Sequence, residues 1–357
     1  MIIIFALANI KVLFGGITGS GIFEEVYFVK HAIVVFSMIG GLLIFFTTRF
    51  HKKSYLLFAL VLFISVFPFL IHKNLIPAAQ TIVFVFAVYF LSHHFSTDTI
   101  SPARVFVVLV AILIILGISF DVTFNQGQFI YNSFYGRPRL LLGYHHPKEL
   151  GNLLVAVYVF YRVQNNVDLK LENKTLLIFG LLATLLFFVS SRNSLLFIFL
   201  IEIHILFLRR GWSSASNFIL ISSIITLPIV SIFFWDFAND ISSLRLIIWW
   251  TEFRFSWFGI PEVHLEEFTR GKFHIDNFYL GTLLETGFWG LFFCLLAITL
   301  VFVYKSKSVI LKVRTEAVLK SLITVSFFDA GLFSTGNILQ LICWTYVMYS
   351  MRVKYAN

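Results

Sequence analysis

Residues 175–208 read TLLIFGLLATLLFFVSSRNSLLFIFLIEIHILFL. Two long apolar runs are separated here only by a short polar turn that contains Arg192. Apolar runs of about 17 to 25 residues recur from end to end of the chain, which is the length a helix needs to cross roughly 30 Å of hydrocarbon. The sequence therefore predicts membrane-spanning helices, with Arg192 at the tip of one helical hairpin.

The composition of the whole chain points the same way. Of the 357 residues, 59% are hydrophobic and 13% are charged, whereas a soluble domain has roughly 25% charged residues. We predict an all-α transmembrane bundle of about 12 spans, in a single integral membrane domain over residues 1–357. The expected spans lie near residues 2–19, 32–48, 55–71, 75–92, 104–120, 147–162, 175–190, 194–208, 217–235, 277–304, 320–334 and 336–351.

The distribution of cations predicts the orientation. With a cytoplasmic N-terminus, sixteen Lys and Arg residues lie in inner loops and the tail, Arg314 and Lys320 among them, and ten lie in outer loops. This bias follows the positive-inside rule. The first apolar run has no cleavage site after it and is expected to be a retained span. We therefore expect a multi-pass protein of the plasma (inner) membrane with both termini in the cytoplasm.

The outer cations are concentrated in three places: residues 137–148, Arg192, and the loop 236–276. Long loops in a compact domain are usually functional, and arginine binds phosphate or carboxylate through its planar fork. We therefore expect the outer loops 121–148 and 236–276 to form an extracytoplasmic active site that holds an anionic ligand. Contact with lipid headgroups is the alternative.

The first of these places reads GRPRLLLGYHHPKELGN over residues 136–152. Pro147 suits the first turn of a helix, where unpaired N–H groups and the helix dipole favour anions. A plain helix start with an interfacial histidine pair is the alternative. The expected ligand contacts are Arg137, Arg139, His145, His146 and Lys148.

The long outer loop carries two features. Residues 241–258 predict a short interfacial amphipathic helix, in which Arg245, Trp249 and Glu252 share one face. The loop then ends in RGKFHIDNFYL, residues 270–280. Asp276 stands at a helix start, where it caps the helix or acts as general base, and His274 is the competing base.

The remaining ionisable and thiol groups predict no further chemistry. Glu202 and His204 lie inside an expected span, and we expect satisfied polar contacts for both. Cys294 and Cys343 both fall in spans, so we expect neither a disulfide nor a cysteine-based metal site. No histidine and carboxylate spacing matches a metal-ligand set, and no nucleotide-binding fingerprint is present. We therefore expect no metal and no cofactor.

Taken in order, these motifs resemble the Wzy-type polymerases of polysaccharide repeat units, in the O-antigen ligase/polymerase superfamily. The resemblance covers about the second half of the chain. It is carried by Arg139 to Asn152, Ser191-Arg192, Ser243-Leu244-Arg245 with Trp249, Phe258-Gly259-Ile260-Pro261, and Asp276-Asn277 to Gly287.

The resemblance implies a GT-C-type, metal-independent glycosyltransferase. It would transfer the growing glycan from undecaprenyl pyrophosphate to a lipid-linked repeat unit on the outer face, in a capsule, exopolysaccharide or O-antigen pathway. Arg192 and Arg245 stand where the functional arginines of the related ligases stand. Asp276 occupies the place of the ligase histidine, with His274 two residues upstream, which favours polymerase over ligase.

The expected roles follow from this resemblance and from the residues. The catalytic set is Asp276, His274, Arg192 and Arg245, in which the arginines stabilise the leaving pyrophosphate and a base accepts the acceptor proton. Further substrate contacts are expected from Arg254, Arg270, Asn277 and Tyr279.

The expected partners are an undecaprenyl-pyrophosphate-linked oligosaccharide, the lipid bilayer, a chain-length regulator and a flippase, but not nucleic acid. The alternatives are an O-antigen ligase and a transporter or flippase of lipid-linked oligosaccharide. A transporter should show a polar path near the midplane and paired halves.

Overall fold

The computed structural model describes residues 24–47, 75–95, 131–134, 137–142, 144, 147–164, 169, 172–233, 255–260, 277–303, 308–328, 332 and 337–353, and five single residues between 108 and 119. The expected spans 2–19 and 55–71 lie outside the described residues. The described part of the chain is predominantly α-helical.

The described residues form nine α-helices and one short β-hairpin. The helices are α1 (Glu24–Thr47), α2 (Leu75–His94), α3 (Pro147–Arg162), α4 (Asn173–Val189), α5 (Arg192–Arg209), α6 (Ser213–Phe233), α7 (Phe278–Val303), α8 (Val309–Val325) and α9 (Ile338–Val353). The hairpin pairs β1 (Tyr131–Phe134) with β2 (Arg137–Leu140) in antiparallel register, and a 3₁₀ turn, Ser326–Phe328, follows α8. The hairpin was not predicted from the sequence.

The tight turn between α4 and α5 is confirmed. Ser190 adopts the left-handed conformation (φ 55°), and its N–H contacts the carbonyls of Leu186 and Phe187, which ends α4. This is a common way to close a helix. Ser191 alone separates the turn from Arg192, the first residue of α5.

The helices pack around one shared core. Helix α5 packs against α3, α4, α6 and α8, while α9 packs against α2, α3 and α8, and α1 packs against α2. Leu150, Tyr158, Phe197 and Ile201 lie in this core and are fully buried. The start of α3 is thereby enclosed by neighbouring helices.

The described helices carry large apolar side chains on their surface and a few charged side chains in their apolar core. Leu177 and Phe187 of α4 are 63% and 71% exposed, and Phe218 of α6 is 70% exposed. Arg162 and Lys320 are each only 1% exposed. Large exposed apolar surface usually marks contact with a membrane or a partner. Buried paired charges are the usual placement of ionisable groups in a membrane bundle.

One helix among the described residues is, by its length and composition, long and apolar enough to cross a membrane. It spans Phe278–Phe302 with a mean hydropathy of 1.9. Shorter apolar helices cover Val35–Ile44, Thr81–His94 and Asn173–Val189. These helices support association of the chain with a membrane.

The expected span 320–334 was wrong in position. The structure has α8 over Val309–Val325, capped by the Ser308 hydroxyl, which accepts from the N–H of Leu311. Two cations assigned to an inner loop, Arg314 and Lys320, lie within this helix and are buried. Hydropathy placed them in a loop because each carries a charge, but each finds a polar partner on another segment.

Candidate functional site

Three segments meet at one end of the helical bundle: β2, the start of α3, and the turn that carries Arg192. Strand β2 lies against α4. Gly151 of α3 approaches the turn so closely that a methyl group in its place would overlap the hydroxyl groups of Ser191 and Ser194. Those two hydroxyls are hydrogen-bonded to each other at 2.8 Å. The structure therefore holds two of the three predicted cationic places side by side.

Three of the predicted ligand contacts are described with their side chains at this junction. Arg139 on β2 and Lys148 in the first turn of α3 are half-buried, and Arg192 is exposed. Pro147 is the first residue of α3, as predicted. Because the first turn of a helix presents unpaired N–H groups, cations and helix start together favour an anionic group here.

Tyr144 connects the hairpin to α3 and was not predicted as a site residue. Its side chain is 2% exposed, and burial together with the negative charge of Glu149 raises the pKa of its phenol above the usual range. Its N–H donates to the Leu141 carbonyl at 2.9 Å. Leu142, between them, has a left-handed backbone (φ 44°). Tyr144 therefore acts as a neutral packing residue that fixes the path of the chain into α3.

Several predicted site residues lie outside the described residues, so the structure leaves their placement as a prediction. They are His145, His146, Arg245, Arg254, Arg270, His274 and Asp276, together with the side chain of Arg137.

The start of α7 corrects one interpretation of Asp276. The side-chain carbonyl of Asn277 accepts from the N–H of Leu280 at 3.0 Å, which is N-cap geometry. The helix cap is therefore Asn277 and not Asp276. Since the neighbouring residue fills this role, capping does not account for a carboxylate at position 276.

Two predicted substrate contacts have internal partners instead. Asn277 is buried and caps α7. The hydroxyl of Tyr279 donates to the carbonyl of Ile323 at 3.0 Å, and its ring lies 4.4 Å from that of Phe327. These contacts join the start of α7 to the end of α8.

Helix α7 is interrupted at Gly287, where φ is 75° and ψ is −172°. The N–H of Phe288 donates to the carbonyl of Ser256 at 2.8 Å, and the carbonyl of Leu284 accepts from the N–H of Ile260 at 2.7 Å. In a regular helix that N–H and that carbonyl would bond to each other. A segment of the long loop is thus inserted into α7.

This insertion corrects the end of the helix predicted over residues 241–258, while residues 241–254 lie outside the described part of the chain. Its described residues, 255–258, are irregular and not helical. Their backbone groups bond to α7, which competes with helix formation, and the Ser256 hydroxyl accepts from the N–H of Phe258 at 3.3 Å. The expected span 277–304 is correct in extent but is broken at Gly287.

A buried ionic network lies farther along the same helices. The Glu202 carboxylate accepts from Nε and Nη2 of Arg162 at 2.7 and 3.0 Å, and from the hydroxyl of Tyr158 at 2.6 Å. Nearby, the Ser216 hydroxyl lies 3.0 Å from Nδ1 of His204 and 2.8 Å from Nζ of Lys320. The polar contacts expected for Glu202 and His204 are confirmed.

The ionic network is separate from the Arg192 junction. Glu202 is ten residues along α5 from Arg192, about 15 Å at the helical rise. Within the described part of the chain, no group of three or more His, Cys, Asp or Glu side chains is placed to hold a metal ion. The network therefore joins helices, while the junction presents cations.

Comparison of the chain with protein-family models, with curated protein sequences and with solved structures gave no match. The chemistry of the site is therefore inferred from its own residues.

Proposed function

We propose that this chain is a polysaccharide repeat-unit polymerase of the plasma membrane. It is a polytopic bundle of about 12 spans with cytoplasmic termini, and it transfers a glycan from undecaprenyl pyrophosphate to a lipid-linked repeat unit on the outer face. The observation that carries the proposal is the close packing of Gly151 against Ser191 and Ser194, which joins the turn with Arg192 to the start of α3, where Lys148 and Glu149 stand in the first turn.

The exposed apolar helices support the membrane part of the proposal. Helices α4, α6 and α7 direct large apolar side chains outward, and the charges of Arg162, Glu202 and Lys320 are paired inside. Each of these helices would suit hydrocarbon, although α7 alone meets the length and hydropathy of a span among the described residues. Helices α4 and α6 have 17 and 21 residues, which lies within the range of about 17–25 residues that a spanning helix needs.

The cations at the junction support the chemical part. The acceptor hydroxyl attacks the anomeric carbon of the donor glycan, its proton passes to a base, and the bond from that carbon to the pyrophosphate oxygen breaks. Negative charge grows on the leaving pyrophosphate, so fixed cations stabilise the transition state more than the ground state. Arg192, Arg139 and Lys148 supply such cations here, with Arg245 expected to join them.

The base in this proposal is Asp276 or His274. Asn277 takes the capping role at the start of α7, which favours a chemical role for the carboxylate at position 276. Asp276 in the place of the ligase histidine also favours polymerisation over transfer to another acceptor.

A transporter of lipid-linked oligosaccharide is the second candidate, because broken helices often form transporter binding sites. Helix α7 is broken at Gly287. However, the freed backbone groups of Phe288 and Leu284 are bonded to Ser256 and Ile260. Those bonds occupy backbone groups that would otherwise be open to a solute, which favours the polymerase.

The test uses the purified full-length chain in liposomes with undecaprenyl-pyrophosphate-linked repeat unit and no nucleotide sugar. We expect a ladder of longer lipid-linked chains. Arg192→Ala should reduce elongation by roughly 10²-fold or more, as loss of a group that stabilises transition-state charge does. Arg209→Ala, an exposed arginine at the other end of α5, is the matched control and should retain elongation.

Two outcomes would contradict the proposal. Unchanged substrate, under conditions in which an established polymerase elongates, would reject polymerase activity. Movement of the lipid-linked unit across the bilayer without elongation would favour the transporter. Normal elongation by Arg192→Ala would reject the assigned site but not the activity.

A further inference from the structure

Residues 256–260, called the strap below, replace hydrogen bonds inside α7 with bonds to the loop. Ile260 donates its N–H to the Leu284 carbonyl at 2.7 Å, and the Ser256 carbonyl accepts the N–H of Phe288 at 2.8 Å. The internal bond between Phe288 and Leu284 is thereby exchanged for these two bonds between segments, and the N–H of Trp289 donates a longer third bond, at 3.5 Å, to the Trp257 carbonyl. The strap is held by backbone groups, so its attachment depends on backbone conformation more than on side-chain identity.

Two glycines make this attachment sterically possible. Gly259 of the strap has φ 88°, and Gly287 of α7 has φ 75°, values that L side chains rarely adopt. A methyl group on Gly259 would overlap the carbonyl of Glu285, and one on Gly287 would overlap the carbonyl of Trp257. Backbone therefore lies against backbone on both sides of the contact.

The strap has its own internal support. The Ser256 hydroxyl donates to the Gly259 carbonyl at 2.9 Å and accepts from the N–H of Phe258 at 3.3 Å. The Trp257 ring packs against Phe288 and Trp289 with centroid distances of 5.3 and 6.3 Å. The strap is thus held in a turn by its own hydrogen bonds, and the Trp257 ring adds a side-chain contact with α7 to the backbone bonds.

The strap divides the long loop into two shorter ones. Arg254 stands two residues before Ser256, on the first side. Residues 261–276, which include Arg270, His274 and Asp276, run from the strap to the cap of α7. The two described residues that flank that stretch, Ile260 and Asn277, are bonded to α7 at Leu284 and at Leu280. Shortening a loop restricts where its residues can lie.

We infer that Gly259 and Gly287 are positioning residues: by attaching the strap to the helix break they fix Ile260, the point from which residues 261–276 continue along the chain, against α7. The catalytic consequence rests on the proposed polymerase function, while the attachment itself does not. Small misplacements of catalytic groups reduce rate strongly, so release of the strap should slow elongation.

When the strap is released, α7 can form its own helical hydrogen bond at the break. The N–H of Phe288 and the carbonyl of Leu284 can then bond to each other, and α7 can close into a continuous helix. Alanine favours this closed helix because its helix propensity exceeds that of glycine. Gly287→Ala should therefore detach the strap without unfolding α7.

The experiment is amide hydrogen exchange, read by mass spectrometry on the full-length chain in lipid nanodiscs. In Gly287→Ala, peptides over 255–260 should exchange at least tenfold faster than in the wild type, while peptides over 284–290 stay protected. Gly259→Ala should cause the same loss of exchange protection in residues 255–260, and it does so without changing the sequence of α7. Gly281→Ala is the matched control, because nothing lies within 4 Å of a methyl group there.

The outcomes separate attachment from catalysis. Unchanged exchange in the strap of Gly287→Ala, or loss of protection in both segments, would overturn the inference. In the elongation assay, Gly287→Ala and Gly259→Ala should lower kcat at least tenfold, with Gly281→Ala within twofold of the wild type. Detachment with normal kcat would overturn the positioning role. If the wild type does not elongate, the proposed function fails, and the exchange result still decides whether the strap is attached.

Discussion

Replacing Glu202 with leucine should destabilise the protein strongly. Its carboxylate accepts three hydrogen bonds, two from Arg162 and one from Tyr158. Arg162 is 1% exposed and Glu202 is 7% exposed, so water cannot replace the lost partner. An uncompensated buried charge of this kind costs about 3–5 kcal/mol in the free energy of unfolding. We expect Glu202→Leu to lose an amount in that range.

Replacement of the other partner, Arg162, makes the test specific to the Arg162–Glu202 pair. Arg162→Met should also destabilise, because it leaves the Glu202 carboxylate buried with Tyr158 as its remaining donor among the described residues. The double variant Arg162→Met/Glu202→Leu replaces the pair with apolar side chains, which is often close to neutral. We therefore expect the double variant to be more stable than either single variant, which requires a coupling energy of at least about 3 kcal/mol between the two positions.

The measurement is reversible unfolding of the reconstituted protein in mixed micelles, followed by tryptophan fluorescence. Glu172→Leu is the control, because Glu172 is exposed and its side chain does not cap α4. It should change the free energy of unfolding by no more than about 0.5 kcal/mol. Additive losses in the double variant, or a Glu202→Leu loss no greater than that of the control, would refute the reasoning.

Two further predictions test the junction at the start of α3. Gly151→Ala should lower elongation at least tenfold, because a methyl group there pushes α3 away from Ser191 and Ser194, while Gly180→Ala in α4 has open space and should not. Equal elongation by the two variants would argue against the junction. Tyr144→Phe should reduce the loss of folding stability at alkaline pH. Because burial raises the pKa of the phenol in the folded protein, the contribution of the phenol to the free energy of unfolding is present below pH about 10 and is lost as the pH rises above it. Unfolding measured between pH 10 and 11.5 should show a shallower slope for the variant, by up to about 1.4 kcal/mol per pH unit; identical slopes would contradict the burial of Tyr144.

Hydropathy predicted the bounds of a helix correctly where polar or helix-starting residues stand directly at the ends of its apolar run. Helix α3 begins at Pro147 and ends at Arg162, as expected, because a proline and a charge stand at the ends of its apolar run. Helix α8 was misplaced because Arg314 and Lys320 were taken as loop residues. Their partners, Val163 and Ser216, are 151 and 104 residues away in the sequence. A local window contains the ion pair of Lys320 with Glu316, four residues away, but neither of these long-range contacts.

The candidate site was predicted only in part, because some of its contacts also join residues that are far apart in the sequence. The turn with Arg192 is defined by neighbouring residues, and its exposed position agrees with the sequence. The cap of α7 is one residue later than the interpretation that gave it to Asp276. The strap could not be predicted from periodicity, because it consists of backbone bonds between separate segments. Its one sequence signal is a glycine on each side, Gly259 and Gly287.

The hairpin between β1 and β2 was missed because both strands are only four residues long. Strands this short carry too few side chains to establish an alternating pattern. The hairpin nevertheless places β2, the strand that carries Arg139, against α4. Sequence reasoning thus identified the cationic segment but not the structure that presents it.

The buried ionic contacts also suggest an order of assembly during synthesis. A ribosome delivers α3 before α5, so Arg162 and Tyr158 already exist when Glu202 emerges. Lys320 likewise emerges after its acceptor Ser216. The two contacts therefore form in opposite order: Lys320 emerges when its acceptor Ser216 is already made, whereas the Arg162 charge is made 40 residues before the Glu202 carboxylate and meets it only after α5 is translated.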